Sequence, residues 1–195
     1  MFVAASPPGW GSSGYPQWIA QLAAHVLGLF AGALALGALL FAAGELIWHP
    51  PPWTVGVLAA LLVLVTARVA PVALPGSRWR VPQDWARLGS VGYAGAFGIA
   101  LGLGVVTRVG SPAMYAVLAW GVAAPEWNLA WPVFVVFAAG RTVPFLAVAT
   151  RSYRQGTYSG DQLEPVAGFV RRLWPVEGIL LAVLAAGLLL GWTSP

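Results

Sequence analysis

A stretch of 36 mainly apolar residues, from Gly89 to Ala124, places the strongest constraint on what this chain can fold into. As one straight α-helix it would be about 54 Å long, at a rise of about 1.5 Å per residue. The hydrocarbon core of a bilayer is only about 30 Å thick. One interruption divides the stretch, at Thr107-Arg108-Val109-Gly110-Ser111-Pro112. The stretch is therefore predicted to be either two membrane spans or one helix broken at this sequence.

The composition predicts an integral membrane protein. Of the 195 residues, 59% are hydrophobic and 8% are charged, whereas soluble domains carry about 25% charged residues. All ten basic residues are arginines, and the net charge is +4. Arginines in loops set the orientation of a membrane protein, so we expect a lipid bilayer and not nucleic acid as the partner. There is no cysteine, which excludes disulfides, thiolate metal sites and thiol redox chemistry.

Hydropathy and helix-breaking residues predict an all-α, polytopic membrane protein with about five crossings. Residues 1–16 are expected to be irregular, without a cleaved signal peptide, and residues 17–195 to form a single helical membrane domain. The predicted membrane elements are Gln17–Trp48, Thr54–Ala70, the 89–124 stretch, Trp131–Thr150 and Leu173–Trp192.

The distribution of arginines predicts the orientation. Three arginines lie in residues 71–88 and four in residues 151–172, while residues 49–53 and 125–130 have none. Basic loops face the cytoplasm, and these two loops share a side only if the 89–124 stretch crosses once, as a broken or re-entrant helix. The prediction is a bacterial inner-membrane protein with its N-terminus in the cytoplasm and its C-terminus outside. Two full crossings in 89–124 would instead put the basic loops on opposite faces.

Glycines recur every three or four residues at the start of this stretch and predict a close helix crossing. Small residues at this spacing let two helix backbones approach each other in a membrane. The first span carries a similar pair. The glycines are Gly89, Gly92, Gly95, Gly98 and Gly102, with Gly28 and Gly32 in the first span.

Arg141, near the middle of a predicted span, is the first candidate for a functional residue. A charge at mid-span costs roughly 2.5–3.5 kcal/mol on insertion scales and usually faces a cavity or a partner. Arg141 would bind an anionic group or line a path, facing the broken helix. Alternatively, it pairs with carbonyls freed by the break or by Pro144.

Arg108 and Ser111 lie in the break itself, where backbone groups have lost their helical hydrogen bonds. Such groups are tolerated where they are buried in protein or line a cavity. These residues, with Pro112 and Ala113, would form a cavity or gating position. Alternatively, Arg108 only anchors the chain at the membrane interface.

Three further residues are weaker candidates. Glu45 and His49 are four residues apart on one helix face and would supply half of a metal or proton-relay site, or simply an interfacial pair. His25 is a lone histidine on an apolar helix, either a ligand or a buried hydrogen-bonded group. We expect no metal or other cofactor and no catalytic constellation, so an enzyme is not favoured.

Two segments resemble the CcdA/DsbD family of transmembrane electron transporters. Ala94-Gly95-Ala96-Phe97-Gly98, followed by Ser111-Pro112-Ala113, resembles that family's signature helix, and the segment from Ala138 to Leu146 resembles its "Y-x-x-G-x-x-x-P-F" segment. The resemblance implies a role in cytochrome c biogenesis or thiol–disulfide exchange. It departs from the family at Ala113, where the redox cysteine would stand, and at Ala116, where a second proline would stand.

The resemblance and the missing cysteines together imply a relative that has lost redox chemistry. It would act as a transporter or as a non-redox membrane helper. The alternative is a structural subunit of a larger membrane complex, which packs against partner helices, lipids or pigments.

Overall fold

The computed structural model describes residues 15–47, 50–51, 53–67, 83–104, 112–155 and 178–190. Within these ranges all regular structure is helical, which confirms the predicted all-α fold class. The helices are α1 (Tyr15–Ile47), α2 (Trp53–Thr66), a 3₁₀ helix (Gln83–Leu88), α3 (Gly89–Gly102), α4 (Pro112–Ala123), α5 (Trp127–Gln155) and α6 (Gly178–Leu190).

The predicted interruption of the 89–124 stretch is confirmed as a division into two helices, α3 and α4. α3 ends at Gly102, and Gly104 then adopts a φ of 71°, in the left-handed region that favours glycine. α4 begins at Pro112, whose missing N–H and fixed φ suit the first position of a helix. α3 therefore ends before the predicted interruption, which begins at Thr107. Residues 105–111 lie outside the described residues, and a single net crossing stays a prediction.

One of the described helices is long and apolar enough to cross a membrane, over Pro16–Ile47 of α1. Helices α2, α4 and α6 are also apolar but shorter. α1 already includes Tyr15 and Pro16, so the predicted irregular segment does not extend to residue 16.

The chain divides into two compact units. Unit 1 contains residues 15–35 of α1, the 3₁₀ helix, α3 and residues 135–155 of α5. Unit 2 contains residues 36–47 of α1, α2, α4, residues 127–134 of α5, and α6. The single membrane domain over 17–195 stays a prediction.

In unit 1, the glycines of α3 let its backbone lie directly against the backbone of α1. A Cβ atom at Gly98 would overlap the carbonyl oxygen of His25, and a Cβ at Gly102 would overlap that of Leu29. Because these neighbours are backbone atoms, no side-chain rotation could make room for a larger residue. The predicted close crossing is confirmed for this part of the glycine series.

The same crossing is tight when viewed from α1. Cβ atoms at Gly28 and Gly32 would overlap the carbonyl oxygens of Gly95 and Ile99. The first glycine of the series, Gly89, has a different role: it has open space around it and a φ of 70°, where the chain turns from the 3₁₀ helix into α3. Glycines from both helices thus form one seam.

Unit 2 has a separate small core. Alanine and leucine side chains of α2, α4 and α6 pack together with few large residues. The buried members are Ala59, Leu62, Ala116, Leu181 and Ala185. Small side chains at these positions allow the three helices to pack closely.

We expect Gly98→Ala to destabilise the protein, because its new methyl group must push apart two backbones. Overpacking of this kind typically costs about 1–3 kcal/mol. Gly140→Ala is the matched control, since Gly140 lies within α5 with nothing within 4 Å of an added Cβ. This control should be neutral or more stable by up to about 1 kcal/mol. Thermal unfolding of the purified protein in mild detergent measures both, and equal midpoints would contradict the crossing.

Candidate functional site

Three polar residues lie on one face of α1, at the N-terminal side of the glycine crossing. Gln17, Gln21 and His25 are each four residues apart, so they line the same side of the helix. Gln17 is exposed, and its Nε2 donates a hydrogen bond of 2.9 Å to Oγ of Ser90. Gln21 and His25 are buried, with 1% and 2% of their surfaces exposed. The polar line therefore runs from the surface into the core of unit 1.

His25 is held by contacts from α3 and α5. Its ring stacks on Phe145 with 3.8 Å between ring centroids, and on Phe97 with 5.7 Å. The His25 side chain also hydrogen-bonds the backbone at Ala94. The close backbone approach at Gly98 brings α3 near enough for these contacts. His25 is thus a packed residue of the crossing, oriented by three neighbours.

The Gln21 and His25 side chains carry polar atoms without a hydrogen-bond partner among the described residues. These atoms are Nε2 and Oε1 of Gln21 and Nε2 of His25. Leaving a buried polar group unsatisfied costs roughly 1–3 kcal/mol, and native structures contain few such groups. These two residues form the candidate site.

Arg141 lies in unit 1 on α5, four residues before Phe145. Its Nη1 donates a hydrogen bond of 2.9 Å to the carbonyl oxygen of Leu101, in the last turn of α3. The same carbonyl also accepts from the N–H of Gly104 at 3.1 Å, and a positive charge at the C-terminal end of a helix is favoured by the helix dipole. The guanidinium carbon also lies 4.8 Å from the ring centroid of Phe137. Arg141 thus bonds a carbonyl at the end of α3, and both its pairing with carbonyls freed at the break and its binding of a ligand stay predictions.

The other predicted site residues lie outside the described residues, in unit 2, or elsewhere on α5. Arg108, Ser111 and His49 lie outside the described residues. Pro112, buried as the first residue of α4, and Ala113, packed beside the small core, belong to unit 2, so the predicted cavity that they share with Arg141 stays a prediction. Pro144 lies within α5, which continues through it. Glu45 is exposed near the end of α1.

Sequence reasoning missed Gln21. A single four-residue period joins Gln17, Gln21 and His25 on one face of α1. That period was the available signal. Its significance depends on α3 and α5 covering the face, which the spacing alone does not reveal. Among the described residues, no three His, Asp or Glu side chains lie together as metal ligands would.

Comparison with known proteins establishes the family. No protein-family model matches the chain, and neither does any solved structure. The chain is 32% identical over 188 residues to methylamine utilization protein MauF of Paracoccus versutus, an alignment that covers 92% of this chain and 69% of that protein. The chain belongs to the MauF family. The predicted membership of the CcdA/DsbD family is therefore wrong.

The physical reason for this error is the nature of the motifs. The glycines and alanines around Phe97 satisfy a close crossing with α1, and any membrane protein with such a crossing needs small residues at similar spacing. Ala113, which stands where the redox cysteine would be, packs beside the small core of unit 2. The MauF match extends over most of the chain, whereas the resemblance rested on two short apolar segments.

We expect Arg141→Met to destabilise the protein by about 1.5–3 kcal/mol, because it removes a charged hydrogen bond at the end of α3. Arg87→Met is the matched control. Arg87 pairs with Asp84 at 3.8 Å, with 86% and 83% of the two side chains exposed, and exposed ion pairs contribute about 0–1 kcal/mol. Thermal midpoints of the two variants in detergent provide the test; a loss no larger for Arg141→Met than for Arg87→Met would exclude the capping role.

Proposed function

We propose that this protein is a multi-pass integral membrane protein that serves methylamine utilization as a transporter. The link to methylamine comes from the name of its relative, methylamine utilization protein MauF. The membrane placement is supported by the apolar composition, by the length of α1 and by the apolar helices α2, α4 and α6.

Large apolar side chains that face outward also support the membrane placement. Soluble monomers rarely expose extended apolar patches, whereas lipid tails solvate such side chains. The most exposed examples on α1, α5 and α6 are Leu27, Leu39, Leu46, Ile47, Val136, Val143, Ile179, Leu180, Val183 and Leu190. These side chains are the proposed lipid-facing surface.

The proposed orientation places both arginine-rich segments, 71–88 and 151–172, in the cytoplasm. Single cysteines provide a direct test, because the natural chain has none. Ser77→Cys and Ser159→Cys should react with a membrane-impermeant maleimide only after the cells are opened, and Asn128→Cys should react in intact cells. Labelling of Ser77→Cys and Ser159→Cys from opposite sides would contradict the five-crossing topology.

The observation that carries the transport proposal is the buried polar pair, Gln21 and His25. Polar and ionisable groups within membrane helices are costly, and they commonly mark substrate or ion pathways. Both residues lie in a helix otherwise apolar enough to span a bilayer. A purely structural helix crossing would need only the glycines that follow at Gly28 and Gly32.

The alternative function is a non-redox membrane helper or a structural subunit of a larger complex. The exposed apolar side chains of α1 and α6 fit this alternative as well as they fit a lipid-facing surface, because the helices of a partner protein would also cover them. The glycine series gives it less support than expected, because Gly98 and Gly102 already pack against α1 of the same chain.

Uptake of radiolabelled methylamine by proteoliposomes containing the purified protein tests the proposal. Wild type should show saturable uptake, and Gln21→Leu should lower the initial rate at least about tenfold, equivalent to ~1.4 kcal/mol. Gln17→Leu applies the same substitution to an exposed position on the same face, and it should change the rate by less than about twofold. Sealed proteoliposomes without uptake, containing folded protein, would exclude transport; a stoichiometric partner that co-purifies from native membranes would then support the subunit.

A further inference from the structure

The unsatisfied atoms of Gln21 and His25 have a defined hydrogen-bonding character. One nitrogen of His25 bonds the backbone at Ala94, where the carbonyl is the group that accepts from a ring N–H. In a neutral imidazole the other nitrogen, Nε2, is then an acceptor. Gln21 adds one acceptor, Oε1, and one donor group, Nε2. Together they require two hydrogens and one lone pair from a ligand.

The electrostatic surroundings disfavour a cationic ligand. In the described part of unit 1 the one acidic residue is Asp84, which is exposed and paired with Arg87. The cation Arg141 lies one helical turn from Phe145, the ring that stacks on His25. A buried cation without a partner is strongly destabilised, and an ammonium group has no lone pair for the amide of Gln21.

The side chains that contact the His25 ring are aromatic and uncharged. The rings of Phe97 and Phe145 flank His25, and Tyr93 stacks on Phe97 with 6.3 Å between centroids. These rings leave no described charged group beside the pair. Because Gln21 and His25 are almost wholly buried, a ligand that reaches their polar atoms must be small.

We propose that Gln21 and His25 bind a small uncharged molecule with two N–H or O–H donors and one lone pair. A neutral amine nitrogen and a water molecule share this chemistry. Either one donates one hydrogen to Nε2 of His25 and a second to Oε1 of Gln21. The inference rests on the proposed function for its membrane setting, and it names the protonation state in which an amine would occupy the site.

The test measures the thermal midpoint of the purified full chain in mild detergent at alkaline pH, where part of the ammonia is uncharged. The probe is ammonium chloride, with potassium chloride at equal concentration as a cation of similar size without N–H groups. If the site takes a neutral amine, ammonium chloride raises the midpoint of wild type by roughly 2–4 °C more than potassium chloride. The difference disappears in Gln21→Leu and persists in Gln17→Leu.

The effect of Gln21→Leu on the thermal midpoint without added ammonia shows whether the bound molecule is water. If water fills the site, ammonium chloride has no specific effect, and Gln21→Leu lowers the midpoint because it removes groups that the water had satisfied. The proposal is overturned if potassium chloride gives an equal rise, which indicates a cation site. It is also overturned if ammonia has no effect and Gln21→Leu keeps or raises the midpoint.

This result is separable from the transport result. If wild type takes up methylamine but ammonium chloride does not raise its thermal midpoint, the proposed function is supported and an amine is excluded as the ligand of Gln21 and His25. If ammonium chloride raises the midpoint of wild type but no methylamine uptake is measured, the binding site is supported and transport is excluded.

Discussion

The contact between the backbones of α1 and α3 is the interaction on which unit 1 depends. With a side chain at Gly98 or Gly102, the carbonyl oxygens of His25 and Leu29 could not occupy their observed positions. The close approach maximises dispersion contacts along the seam, which is the main attraction available between helices in a lipid environment. It also places Phe97 and the backbone of Ala94 against the His25 side chain. Packing and polar chemistry in unit 1 thus have a common origin.

Two polar groups mark the two ends of this crossing in different ways. Arg141 meets the last turn of α3, where its Nη1 donates to the carbonyl oxygen of Leu101, which also accepts from the N–H of Gly104. His25 meets the earlier part of α3, where its side chain hydrogen-bonds the backbone at Ala94, while Nε2 of His25 and both polar side-chain atoms of Gln21 have no hydrogen-bond partner among the described residues. Arg141, the residue with the greatest expected cost in a membrane, hydrogen-bonds a carbonyl at the end of α3, whereas the less conspicuous Gln21 is the candidate for ligand binding.

The erroneous family resemblance follows from the same physics. Glycine and alanine at three- and four-residue spacing are what any close helix crossing requires, so they identify a packing mode and not a lineage. The cysteine that would have carried the family's chemistry is absent at Ala113. Similarity to the MauF protein extends over 92% of this chain, and it is this extent that identifies the family.

From the sequence alone, the helical fold class, the division of the 89–124 stretch and the close glycine crossing could be predicted. Each of these depends on local properties: apolar runs, a proline that cannot continue a helix, and small residues at helical spacing. The end of α3 at Gly102, the pairing of Arg141 with Leu101 and the burial of Gln21 could not be predicted. They depend on which helix covers which face, and that choice arises from packing among α1, α3 and α5. A four-residue spacing shows that Gln21 and His25 share a face, but only the tertiary structure shows that both are buried and that three of their side-chain atoms have no hydrogen-bond partner among the described residues.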